Sequence, residues 1–201
     1  MLAFSKTIKN KEMEMAAGMK SHSKKAQIHK ARQIYHGSLF SFAVEDVTLP
    51  NGSRTEMAMV RHPGSTAVVP LLDDHTVVME LQYRHAVREY LLEIPAGTME
   101  PGELPQNCAR RELEEETGYV AEELFELSQV DIIPAYSNEK IYVYLARDLT
   151  LSRQSLDKDE IIEVVEYPLE ETLDMIDKGQ ISDALTILAL QRTWFYLRKK
   201  N

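Results

Sequence analysis

Apolar residues fall into short alternating runs before about residue 95, and into a mixture of strand and helix patterns after it. Residues 1–30 show no apolar period: Met13, Met15 and Met19 lie among Lys and Ser, which reads as a basic N-terminal extension. From Gln33 the pattern changes. Leu39, Phe40, Phe42, Val44 and Val47 lead to the turn signal Pro50-Asn51-Gly52 and then to Met57 and Val60, which predicts an antiparallel hairpin. Residues 67–72, 77–83 and 91–94 predict further strands.

After Pro95-Ala96-Gly97 the texture differs. Residues from about 104 to 117 predict a helix, with Pro105 tolerated in the first turn and Gly118 placed to end it in a left-handed cap. Strand-like runs return at 141–146 and 161–167, and helical patterns follow at 169–178 and 182–198. In the last of these Leu185, Leu188, Ala189 and Phe195 share a face, Trp194 and Phe195 read as core, and Arg198, Lys199 and Lys200 complement the helix C-terminus. The pattern predicts a mixed α/β domain with strands on both sides of one acidic helix.

Composition narrows the class. The 201 residues, 44% hydrophobic and 27% charged, suffice for one domain with a sizeable core, or for one domain plus an appendage. The longest stretch free of Asp, Glu, Lys and Arg is the twelve residues 33–44, so no membrane-spanning helix is expected and the chain reads as soluble. A single cysteine, Cys108, excludes an internal disulfide and a cysteine-rich zinc site, and fits a cytoplasmic location. Inside the predicted helix, Cys108 reads as a small core residue. The first residues lack the apolar run of a signal peptide.

The net charge of −9 is unevenly spread: residues 1–36 hold eight Lys or Arg and two Glu, so a segment near +6 precedes a body near −15. An acidic body argues against sequence-independent nucleic-acid binding, which needs neutralised phosphates. An anionic small-molecule partner would need positive charge added to the site.

The predicted helix carries the strongest chemical signal. In Arg111-Glu112-Leu113-Glu114-Glu115-Glu116, the 100° turn per residue gathers Glu112, Glu115 and Glu116 on one face and turns Glu114 away. Like charges so spaced destabilise a solvated helix by roughly 0.2–0.5 kcal/mol per pair. One reading is a solvated acidic face, although no Lys or Arg interleaves between Arg111 and Lys140. The other is a hard divalent cation held by oxygen alone, which suits Mg²⁺ or Mn²⁺ and not zinc. Spacing leaves both open.

The wider window, Gly97 to Tyr119, resembles the Nudix box, G-x5-E-x7-R-E-U-x-E-E-x-G-U with U a bulky aliphatic residue. Gly97, Glu103, Arg111, Glu112, Leu113, Glu115, Glu116 and Gly118 match, and Tyr119 departs in being aromatic. The resemblance implies a Nudix α/β/α sandwich, preceded here by an N-terminal antiparallel β-hairpin or sheet subdomain. It implies that Glu112 and Glu116 are the main ligands of Mg²⁺ (Mn²⁺ possible), with Glu115 and the Ala96 carbonyl contributing. It gives Glu103 and Arg111 a bracing role, and Gly97 and Gly118 the backbone freedom the box needs. The chain then divides into a basic extension (1–30), an N-terminal β subdomain serving dimerisation (31–63) and the hydrolase domain (64–201).

Beyond the box, residues 44–52, 60–64, 82–84, 91–97 and the run Ile133-Pro134-Ala135-Tyr136-Ser137-Asn138-Glu139 resemble ADP-ribose pyrophosphatases, with Ile133 and Ala135 departing from the usual Ser and Gly. This resemblance implies hydrolysis of ADP-ribose to AMP and ribose 5-phosphate. It makes Glu139 the first choice for general base, a box glutamate the alternative, and Pro134 part of the substrate-facing loop. It places Arg84 on the nucleotide or its phosphates, Glu93 on the ribose or a metal-bound water, and Phe40 as an aromatic for adenine. Members are commonly homodimers joined through the N-terminal sheet. The rival readings are the same chemistry on GDP-mannose or ADP-glucose, or a non-catalytic Nudix domain that senses such metabolites.

Overall fold

The computed structural model describes residues 24–73 and 75–200. Most of the basic extension lies outside the described residues. The chain divides into two compact units, one comprising the described residues up to His36 together with Ser41–Met59, the other Gly37–Phe40 with the chain from Val60 onward.

The first unit is a three-stranded antiparallel sheet of β1 (Gln27–His36), β2 (Ser41–Thr48) and β3 (Arg54–Arg61), in the order β1-β2-β3. The hairpin turn closes where Asn51 and Gly52 predict it. The Gly52 N–H donates to the Leu49 carbonyl at 2.8 Å, and Gly52 takes φ +89°, a left-handed conformation that glycine adopts without strain. Period-two alternation buries Ala43, Glu45 and Val47, so Val44 and Val47, read together from sequence, point to opposite faces of β2. Strand β1 begins at Gln27, inside the segment read as an aperiodic extension. All ten of its residues are exposed, so no buried period marks it.

The second unit holds two sheets. A four-stranded mixed sheet has the order β7 (Ala96–Thr98), β4 (Ser65–Pro70), β9 (Lys140–Leu151), β8 (Tyr119–Asp131), with β4 and β9 parallel. A three-stranded antiparallel sheet has the order β10 (Ile162–Pro168), β5 (Thr76–Arg84), β6 (Glu89–Glu93). The helices are α1 (Pro105–Thr117), α2 (Leu169–Asp177) and α3 (Ala184–Lys200).

Alternation along the central strands feeds two cores. Val68, Tyr144 and Ala146 pack with Ala109 and Leu113 of α1. Their neighbours Ala67, Val69, Val143 and Leu145 pack on the other face with Leu169, Ala189 and Leu190 from α2 and α3. Helices therefore cover both faces, the α/β/α sandwich. Every residue of β4 is buried, as its two-sided cover requires. Among the described residues no helix is long and apolar enough to cross a membrane.

One sequence expectation is corrected, and one strand is added. In α3 the buried stripe runs through Thr186, Ala189, Leu190 and Thr193, so Phe195, read as core, is 60% exposed while Trp194 packs partly inside. Two threonines carry the inward face, which hides it from a count of apolar residues. Strand β8 was not foreseen. Its acidic sequence favours helix, and a register shift between Glu126 and Ser128 breaks the alternation that marks a strand.

Candidate active site

Helix α1 positions the box acids. Pro105 occupies its first turn, and Gly118, at φ +73°, closes it with an N–H to the Glu114 carbonyl at 2.9 Å. The buried stripe of α1 contains Ala109 and Leu113 together with Glu112 and Glu116, so two carboxylates face inward beside the core. The next carbonyls at the helix end are satisfied by the segment after β9: Ser155 N–H donates to Glu115 O at 2.9 Å, Gln154 Nε2 to Glu116 O at 2.6 Å and Ser152 N–H to Gly118 O at 2.7 Å. Capping the helix in this way carries Ser155, Asp157 and Glu160 to the rim of a cavity of about 540 Å³.

Glu112, Glu115, Glu116, Arg111, Ala96 and Gly97 line that cavity from the box, and Gln82 and Arg84 line it from β5. The Glu116 carboxylate accepts the Ala96 N–H at 2.9 Å. The Glu112 carboxyl lies against Gly97 where a Cβ would have to sit, so any side chain at residue 97 would displace that carboxyl. Arg111 forks onto Glu103, with Nε–Oε1 and Nη2–Oε2 both 3.0 Å, and its Nη1 bridges Glu112 at 2.8 Å and Glu115 at 3.0 Å. That guanidinium holds the Glu103 carboxyl down to about 2.

Burial acts on the inner acids in the opposite sense. It raises Glu112 to about 7, and it raises Glu116, with further repulsion from Glu80 and Glu112. Burial also pushes the Cys108 thiol up to about 12, so it is an inert core thiol that accepts a hydrogen bond from Thr66. Among the described residues no three His, Cys, Asp or Glu side chains are drawn into a closed metal cage. Arg111 holds Glu112 and Glu115 instead. The donor set nonetheless fits a hard divalent cation: buried carboxylates of like charge, a strand-end backbone, and no nitrogen or sulfur ligand.

Arg84 reaches the same cavity from β5, aimed by an ion pair with a buried acid: its Nη2 lies 2.5 Å and its Nε 3.0 Å from Glu93 Oε2. Glu93 is buried, and Arg84 is the member that faces the cavity. The remaining sequence-derived residues lie outside the cavity lining. Glu139 accepts a hydrogen bond from Ser65 Oγ at 2.8 Å and stands 3.6 Å from His62 Nδ1. The adjacent Lys140 pairs with Asp131 at 2.8 Å. Pro134 is exposed in a turn closed by the Ser137 N–H to Ile133 O at 2.9 Å. Leu39, rather than its neighbour Phe40, contributes to the lining.

Three polar residues of this region were missed from sequence: Glu80, Gln82 and Glu160. Glu80, Gln82 and Arg84 alternate on β5 with Met79, Leu81 and Tyr83, a polar period of two inside an apolar strand. That alternation was a usable signal. Glu160 sits in an acidic loop with no distinguishing spacing.

The NUDIX domain family model matches residues 61–189, and the chain belongs to that family, as a Nudix hydrolase. It is 39% identical over 171 residues to an ADP-ribose pyrophosphatase of Bacillus subtilis, covering 84% of this chain and 90% of that one. It is also 39% identical over 164 residues to a methanol dehydrogenase activator of Bacillus methanolicus, covering 81% and 89%. Among solved structures, an ADP compounds hydrolase superposes with a TM-score of 0.78 at 25% identity, covering 89% of this chain and 97% of that one.

Proposed function

We propose that the chain hydrolyses the diphosphate of ADP-ribose, giving AMP and ribose 5-phosphate, with Mg²⁺ or Mn²⁺ as cofactor. The observation that carries this reading is the cavity that Arg84 shares with Glu112, Glu115 and Glu116. A guanidinium beside a carboxylate cluster suits an anionic diphosphate bridged to the acids by cations. A volume of about 540 Å³ is ample for a nucleotide sugar. The identity with an ADP-ribose pyrophosphatase supports the choice of sugar.

Glu112, Glu115, Glu116 and the Ala96 carbonyl would hold the cation. When bound, it neutralises the diphosphate, polarises phosphorus and makes water more acidic. Arg84, oriented by Glu93, holds a phosphate. Arg111 and Glu103 keep α1 and the Thr98 strand end in register, Arg111 Nη2 donating to the Thr98 carbonyl at 3.2 Å. We assign the proton from the attacking water to Glu160, which lines the cavity with one oxygen accepting the Asp157 N–H at 2.8 Å, in place of Glu139, which lies outside the lining.

A panel of ADP-ribose, ADP-glucose and GDP-mannose with Mg²⁺ and Mn²⁺, analysed by product identity, tests the substrate. ADP-ribose is expected to have the highest kcat/KM, and preference for a hexose conjugate would remove it. Glu160→Gln is expected to lose about 10²–10⁴-fold in kcat and Glu139→Gln much less. The reverse ranking returns the base to Glu139. The same reading includes a homodimer through the N-terminal sheet, supported by exposed Ile28 and Ile34 on β1 and Met57 on β3. It includes a cytoplasmic location, supported by the single cysteine, and no nucleic-acid partner, supported by the acidic body. Light scattering is expected to give twice the chain mass, and a monomer at micromolar concentration overturns the dimer.

A further inference from the structure

Glu80, Gln82 and Arg84 occupy one face of β5, each two residues from the next. Arg84 and Gln82 line the cavity, and Glu80, next on the same face of the strand, is buried outside that lining. Glu80 is fully buried, and neither of its carboxyl oxygens has a hydrogen-bond partner among the described residues. The buried Oε1 of Gln82 also lacks one. Arg84, the cation whose charge reaches Glu80, is engaged by Glu93. The other charged groups acting on Glu80 are acids, namely Glu93, Glu160, Glu112 and Glu116.

A buried carboxyl with no partner is unfavourable, and chains retain such groups where something binds them. A proton shared with Glu116 would engage only one oxygen of Glu80. A hard divalent cation takes six or more oxygens and can engage carboxylates in either one- or two-oxygen mode.

We propose that Glu80 is an additional carboxylate of the divalent-cation centre, acting with Glu116 so that strand β5 as well as helix α1 supplies ligands. This rests on the cation-dependent reading above. It differs from the sequence-derived ligand set, whose carboxylates lie wholly on the box.

The test is Mn²⁺ binding to the full chain, read by the electron paramagnetic resonance signal of free Mn²⁺ and by calorimetry, for wild type, E80Q, E80M and E116Q. E80Q keeps the shape and removes the charge. E80M replaces the acid with an apolar side chain of similar length, so it keeps the fold if E80Q does not. Both Glu80 variants are expected to lose one Mn²⁺ equivalent or about tenfold or more in affinity, and to show a smaller Mn²⁺-induced rise in Tm. Their metal-free Tm should match or exceed that of wild type. Wild-type affinity and stoichiometry in E80Q and E80M, with binding weakened in E116Q, would overturn the role of Glu80 and leave the box ligands standing. Wild-type binding in E116Q as well would overturn the cation reading of the box, and the role of Glu80 with it.

Discussion

The carboxyl of Glu112 fills the space that a side chain at Gly97 would need. Gly97→Ala therefore has to push Glu112 out of the cavity wall or shift β7. Overpacking of this kind costs about 1–3 kcal/mol, and displacing Glu112 from its proposed place at the cation should remove more activity than stability. We expect kcat/KM to fall by about 10²-fold or more while Tm drops by only a few degrees. Thermal melts and steady-state kinetics on the same preparation check this.

Glu103 and Arg111 set an acid limit on stability. The folded carboxyl titrates near 2, below the value of about 4.3 for an unfolded glutamate. The unfolded state thus binds more protons in this interval. The contribution of Glu103 is complete above about pH 4.3 and is lost as pH falls toward 2. Urea denaturation across that range should show stability declining, with a flatter decline in Glu103→Gln.

Glu112 acts with the opposite sign in metal-free protein. Its folded value of about 7 lies above the unfolded one, so the folded state holds the extra proton. Its contribution is complete below about pH 4.3 and is lost as pH rises through 7. With EDTA present, stability should fall between these limits. Saturating Mg²⁺ should remove the fall, adding about 2.7 kcal/mol at a hundred times Kd. Denaturation with and without Mg²⁺, on wild type and Glu112→Gln, measures both effects.

Glu116→Gln should lower turnover by orders of magnitude with little loss of stability, because a buried amide replaces a buried acid of the same shape. Activity near wild type with Mg²⁺ would contradict the ligand role. Kinetics and circular dichroism on the purified variant separate the two effects.

Arg84 and Glu93 should separate binding from stability. Arg84→Ala strips a buried acid of its partner, so it should destabilise the fold by about 1–3 kcal/mol and raise KM. The double variant Arg84→Ala/Glu93→Gln should regain much of the stability but none of the substrate affinity. A double-mutant cycle in urea, paired with KM values, distinguishes these outcomes.

Legibility in sequence followed locality. The helix from Pro105 to Thr117, its glycine end and the common face of Glu112, Glu115 and Glu116 depend on residues within a few positions of one another, and their spacing was sufficient. The hairpin at Asn51-Gly52 was readable for the same reason. Strand β1 lacks a buried period, and β8 has one interrupted by a register shift. The inward face of α3 was hidden by its threonines.

The sequence by itself determined the family, the box helix and the identity of its carboxylates, since periodicity places those groups without reference to the rest of the chain. Tertiary structure decided which distant residues meet them. The antiparallel register sets Glu80 opposite Glu93, nine positions are spanned by the Arg84–Glu93 pair, and the segment after β9 crosses to cap α1, bringing Glu160 to the cavity. Those encounters depend on strand pairing and on unsatisfied helix carbonyls finding donors some forty residues away. Side-chain periodicity carries no record of either.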